Sequence, residues 1–449
     1  MEFVFFLVIL VVYIPLYTYV VKSQIHFYSK RIIKIFMALW FVVLSLTLLH
    51  PYGLYDVSGT SYVIFLVFIT SLVLGYTSKR KISHERINYK KINYKHCLDD
   101  IIESKLFLLF LVSAICILGY LMSKRAILLS SYTVAEMRGE VKMDIFEGSS
   151  LLGLPYFSVI SPLLYVISFL LAYMALFSRR GHWLQIVLCF LYVLFIALIN
   201  GGRQEIFGVV IAILFLFIVK DLIIKKTLKS SIFITLSIVL VFTLIFIVLS
   251  YMTAQRADGT IKDFSYEAVV YGSNILLEHF VTYFTGPIVA FDYALQNDYL
   301  VKTGGLNWGC GTMGFIDGFL TIFLNNLGIN HKVVISPLTD YIQNNWILVG
   351  PGINFNFAYT AVLFYYTDFG FIGIAVIPFL FGRIVKSVMD NFFHSGNPAL
   401  LILSAYLFYV MLYTVFSWSL YAASPAFTFL YIYLLYKILQ RKMCKYYIN

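Results

Sequence analysis

Apolar runs of about 20 residues, the length that crosses a bilayer as a helix, recur along this chain from Phe3 to Leu439 with mostly short polar connections between them. That repetition leaves no room for an independent soluble domain. The composition agrees: 61% of residues are hydrophobic and 12% are charged, far from the balance of a water-soluble fold. The chain is therefore expected to be one multi-spanning, all-α membrane domain over residues 1–449. The first run starts at Glu2 without a basic segment before it and without a small-residue cleavage site, which predicts a retained first helix.

Hydropathy predicts about eleven spans, at 2–21, 35–53, 60–77, 106–122, 151–177, 183–199, 206–219, 231–250, 369–382, 399–418 and 425–438. Alternate connections differ in charge. One set carries 24 of the 33 lysines and arginines and the other carries 16 of the 22 acids. The positive-inside rule then places the C-terminus in the cytoplasm and the N-terminus outside. The net charge of +11 is thus a topology signal and does not point to nucleic acid. On the outer side lie a polar loop at 123–150, a tight turn at 200–205 and a long loop at 251–368. Two stretches of that loop, 268–291 and 312–329, are apolar enough to be amphipathic or re-entrant elements.

Several function classes are disfavoured. The largest cytoplasmic loop, 78–105, is too short for a nucleotide-binding sheet, and no phosphate-binding glycine loop occurs. The span interiors are nearly free of ionisable residues, which ion-coupled transporters keep near the midplane. The cysteines (Cys97, Cys116, Cys189, Cys310 and Cys444) have no metal-ligand spacing, and only Cys310 falls outside. No metal or other cofactor is expected.

What chemistry there is lies on the outer side. Arg203 follows two glycines in the turn Asn200-Gly201-Gly202-Arg203-Gln204-Glu205. Glycines let a bulky group approach the backbone, and a guanidinium fork matches phosphate oxygens. An arginine snorkelling to the interface explains the same position. Arg256, just after the eighth span, and Arg138, in the loop after the fourth, share that side. Three arginines from separate segments can converge on one diphosphate. The long loop adds Glu278-His279 and Asp292, polar groups in apolar surroundings where burial can tune a general base; structural hydrogen bonding is the plainer explanation. Asp368 precedes the ninth span, where a helix N-terminal acid needs no further role.

The arrangement resembles the Wzy family, the polymerases of oligosaccharide repeat units in O-antigen and related surface polysaccharides. The matching features are the Gly201-Gly202-Arg203 turn, the long loop after the eighth span, the stretch from Thr285-Gly286-Pro287 to Phe291-Asp292, and Asp368-Phe369-Gly370-Phe371-Ile372-Gly373. The resemblance implies a GT-C-like glycosyltransferase in the bacterial inner (plasma) membrane. It would move a growing glycan from undecaprenyl diphosphate onto a newly delivered lipid-linked repeat unit at the periplasmic face, with a chain-length regulator protein as a partner. Arg203, Arg256 and Arg138 would then bind the donor diphosphate, and Asp292 or His279 would take the acceptor's proton. An O-antigen ligase shares these features. A flippase for lipid-linked repeat units is the alternative from another class, though two related halves are not visible in this chain.

Overall fold

The computed structural model describes residues 2–78, 94–129, 156–177, 182–200, 204–223, parts of 243–265, 266–297, 305–334, 336–344, 346–355, 359–395 and 397–448. Its helices are α1 (Glu2–Lys22), α2 (Phe27–Leu48), α3 (Gly59–Thr77), α4 (Tyr94–Ile102), α5 (Lys105–Leu129), α6 (Ser161–Phe177), α7 (Trp183–Asn200), α8 (Gln204–Ile223), α9 (Tyr266–Gln296), α10 (Gly314–Asn326), α11 (Ser336–Asn344), α12 (Thr360–Ser395), α13 (Pro398–Tyr413) and α14 (Ala423–Ile448). A π turn, Tyr156–Ile160, leads into α6. Apart from one antiparallel hairpin, β1 (Ile347–Gly350) with β2 (Ile353–Phe355), the described chain is helical.

Among the described residues, seven helices are long and apolar enough to cross a bilayer: α1, α2, α3, α5, α6 with its π turn, α7 and α12. Three shorter apolar segments, Phe207–Lys220, Gly314–Asn325 and Pro398–Tyr413, join them. Large apolar side chains such as Phe3, Val11, Ile14, Leu106 and Ile372 stay exposed on these helices, a surface that water does not tolerate over such an extent and lipid does. The chain is a polytopic membrane protein.

The expected boundaries shift in several places. The second span begins at Phe27 and not at 35, because Lys30, Arg31 and Lys34 are carried on the helix. It ends where His50 adopts a left-handed conformation before Pro51. The eighth expected span, 231–250, lies almost wholly outside the described residues. The ninth starts at Thr360 and runs through a break at Phe369–Gly370. The eleventh lies within the longer α14. The stretch 268–291 is part of one continuous 31-residue helix, α9, and 312–329 holds the 13-residue α10.

In lipid the hydrophobic effect does not drive helices together, so close backbone approach and side-chain packing must do it. α3 and α12 run side by side in this way. A Cβ on Gly75 would sit 2.0 Å from the Phe379 carbonyl oxygen, and one on Gly382 would sit 2.3 Å from that of Leu72. Rings fill the remainder of the seam: Trp40 of α2 meets Phe68 edge-on at 5.2 Å, and Phe68 lies 6.1 Å from Tyr365. Gly75→Ala must therefore separate two backbones. A loss of about 1–3 kcal/mol is expected, as for other overpacked sites. The apparent melting temperature in detergent checks it, with Gly119→Ala on open α5 surface as the variant that changes little.

The two ends of the bundle differ in charge. At one, His50 stands 3.4 Å from Glu2 and 3.3 Å from Asp56, and Asp292 lies against the start of α3. At the other are Lys22, Lys30, Arg31 and Lys34, with the buried pair Lys386–Asp390 toward the end of α12. The described parts of residues 264–359 fold back over the acidic end. Phe291 of α9 packs on Phe65 of α3, and Tyr55 donates its amide to Val349 of β1 at 2.8 Å.

Candidate functional site

The break in α12 organises the acidic end. Gly370 has φ 60° and ψ −143°, a combination available essentially only to glycine. The break releases backbone carbonyls from helical bonding, and buried acceptors need donors. Asn307 supplies its amide to Thr367 O at 2.8 Å, and Trp308 supplies its own to Asp368 O at 3.2 Å.

Asp368 completes the join. Its carboxyl oxygens accept from the amide of Gly311 at 2.6 Å, the amide of Thr312 at 2.7 Å and the Thr312 hydroxyl at 2.6 Å. Trp418 then donates Nε1 to Thr312 O at 2.8 Å. Residues 307–312 are thus stitched to α12 and, through Trp418, to the connection before α14. The sequence placed Asp368 as a helix N-terminal acid. It lies instead eight residues inside α12, at a break that local propensity does not announce.

The stitched loop leads into α10, whose first turn carries Asp317. The chain turns back after Leu327, where Asn325 Oδ1 accepts the His331 amide at 2.8 Å. This brings His331 Nε2 to 3.5 Å from Asp317 Oδ1, an ion-pair distance without a formed hydrogen bond at that nitrogen. The Asp317 side chain is 3% exposed and that of His331 is 28% exposed. A buried carboxylate thus sits behind an imidazole that a solute can reach. Cys310 lies beside both acids; burial first, then Asp317 and Asp368, pushes its thiol above the usual range.

Asp292 is buried near the end of α9 and accepts from the Ser58 hydroxyl, from the Ser61 hydroxyl at 2.7 Å and from Gln296 Nε2 at 2.7 Å. Ser58 also caps α3. Asp292 therefore ties α9 to the start of α3, and three donors already occupy its oxygens. His279 is on the exposed side of the same helix, thirteen residues earlier and about 20 Å away along the axis. The two do not meet. Arg203, Arg256 and Arg138 lie outside the described residues. Their described neighbours are Asn200, which accepts from the Tyr156 hydroxyl at 2.9 Å, and Ala254, which is buried.

The Asp317–His331 pair was not among the sequence candidates. Its only trace there is an Asp and a His fourteen residues apart in a loop of mixed polarity, which many loops contain. Comparison with known proteins finds no family model, no curated protein and no solved structure that matches this chain.

Proposed function

We propose that this protein is a membrane glycosyltransferase that joins lipid-diphosphate-linked oligosaccharide repeat units, at the extracytoplasmic face of a bacterial inner membrane. The observation that carries the proposal is the pairing of buried Asp317 with reachable His331 at the acidic end of the bundle. Around it, described parts of residues 264–359 pack against the helices, through Phe291 on Phe65 and Val349 on Tyr55. The proposed topology is eleven-span and GT-C-like, and the charge difference between the two ends supports its orientation, with the acidic end outside and the C-terminus in the cytoplasm.

In this reading a sugar hydroxyl of the acceptor gives its proton to His331 while its oxygen attacks the anomeric carbon of the donor. The bond from that carbon to the diphosphate oxygen breaks, and the diphosphate leaves with the electron pair on its lipid carrier. Asp317 holds the imidazole in orientation and stabilises it once protonated. Arg203, Arg256 and Arg138 meet the charge that develops on the leaving diphosphate. His331 ranks ahead of Asp292, whose oxygens are engaged. A chain-length regulator protein is the protein partner this activity calls for.

Two measurements test the proposal. Purified protein in liposomes with lipid-linked repeat units should produce a ladder of longer glycans; no extension under any condition would overturn the assignment. Cells lacking the protein should display glycan limited to one repeat unit, whereas loss of all surface glycan favours a flippase or a ligase. Within the ladder assay, His331→Gln should slow extension by roughly a hundredfold, the lower end of general-base effects because departure of the diphosphate sets most of the barrier. Asp317→Asn should slow it less. An unchanged rate for His331→Gln returns the base to Asp292 or His279.

A further inference from the structure

We infer that the groove between α2 and α8, at the basic end of the bundle, binds the headgroup of an anionic phospholipid. α2 opens unusually for a helix. Its first turn holds no acid, and His26 before it makes no side-chain cap, while Lys30, Arg31 and Lys34 all fall in its first two turns. A helix N-terminus already carries about half a positive charge. Three cations added there repel it and one another, so among the described residues this end is short of an anion.

The cations are positioned without being neutralised. Lys30 donates to Val21 O at 2.8 Å. The Arg31 guanidinium lies 4.2 Å from the centre of the Phe27 ring, and the Lys34 ammonium lies 5.0 Å from that of Tyr17. Ring faces hold a cation in place and leave its charge intact. Among the described residues no carboxylate pairs with Arg31 or Lys34.

Between them opens a groove of about 390 Å³ lined by Arg31, Lys34, Ile35, Phe217 and Ile218. Two cations at the rim above aliphatic and aromatic walls match a ligand that is both anionic and greasy. Free phosphate satisfies the rim and leaves the walls bare. A zwitterionic lipid satisfies the walls and brings its own cation to the rim. An anionic glycerophospholipid satisfies both, and a charged headgroup at a helix boundary is where a bilayer presents one. The inference does not depend on the glycosyltransferase proposal.

The experiment uses delipidated full-length protein in a neutral detergent and reads its melting temperature with added phosphatidylglycerol, phosphatidylcholine or inorganic phosphate. Ligand bound only by the folded state raises that temperature. Phosphatidylglycerol should raise it by a few degrees and the other two should leave it nearly unchanged. The double variant Arg31→Gln/Lys34→Gln should fold about as well as the parent, since relief of repulsion at the start of α2 offsets the two ring contacts it loses, and should lose the response. Lys124→Gln, which removes a cation held over Tyr120 on α5, should keep it. An equal shift with phosphatidylcholine, a shift with phosphate alone, or a full response in the double variant would each overturn the assignment. So would loss of the response in Lys124→Gln, which would mean adsorption to charge in general.

Discussion

Arg203→Ala and Arg256→Ala should each slow glycan extension by roughly a hundredfold or more while the protein accumulates in the membrane at its normal level. The reasoning is electrostatic. In the proposed reaction, negative charge grows on the diphosphate as the anomeric bond breaks, and a cation fixed in advance at that place is worth more in the transition state than in the bound donor. Removing one such contact costs on the order of 2–4 kcal/mol of transition-state stabilisation. If the contact is a two-pronged one, shape matters as well as charge, so Arg203→Lys should be impaired too, though less than Arg203→Ala. Arg138→Ala should have the smallest effect, since its loop stands further along the chain from any span. An arginine that merely snorkels to the interface predicts something different: lower abundance, or no change. Glycan length from variants at matched membrane levels separates the two. Long chains built at the normal rate by both alanine variants would remove the diphosphate site from these residues.

Asp368→Ala should lower stability by about 3 kcal/mol or more, the largest effect expected from any single side chain at the α12 break. The substitution deletes one acceptor group and strands three donors, the amides of Gly311 and Thr312 and the Thr312 hydroxyl. A buried donor left without a partner costs about 1–3 kcal/mol, and partial relaxation of residues 307–312 recovers some of the total. Asp368→Asn keeps one accepting oxygen and turns an amide group toward the other donors, so it should fall between the parent and the alanine variant. Melting in detergent gives the order. Cys310 provides a second reading from the same variant. Its thiol is held above the usual range by burial and by the neighbouring acids, so loosening the loop and deleting one acid should raise its thiolate fraction. In protein whose other cysteines are replaced, Asp368→Ala should therefore react faster with a maleimide at neutral pH. Parent-like melting together with parent-like labelling would show that this carboxyl does not hold the loop.

The contrast between these two predictions separates what a linear pattern records from what it does not. Membrane class, helical class and charge asymmetry are additive properties: each residue in a run such as 2–21 or 60–77 contributes its own transfer free energy. The helices α1 and α3 accordingly fall within two residues of those runs. Boundaries went astray where one contact outweighs the sum. α2 extends back through three cations because ring faces and a carbonyl hold them, and α12 starts early because its broken carbonyls find donors in residues 307 and 308.

The candidate site divides in the same way. That Asp292 would be buried was legible from a polar group standing in an apolar stretch. What Asp292 does was not, because its hydroxyl partners Ser58 and Ser61 lie more than 230 positions away. Asp317 and His331 carried no pattern of their own. They form a pair only because a loop stitched to the α12 break aims α10, and the turn after α10 brings the chain back. By itself the sequence determined how many apolar runs there are, how charge divides between the two ends and which residue types are available, since these depend on each residue's own affinity for water or lipid. Only the tertiary structure decided which acid meets which base, because that depends on hydrogen bonds between segments whose separation along the chain carries no energy of its own.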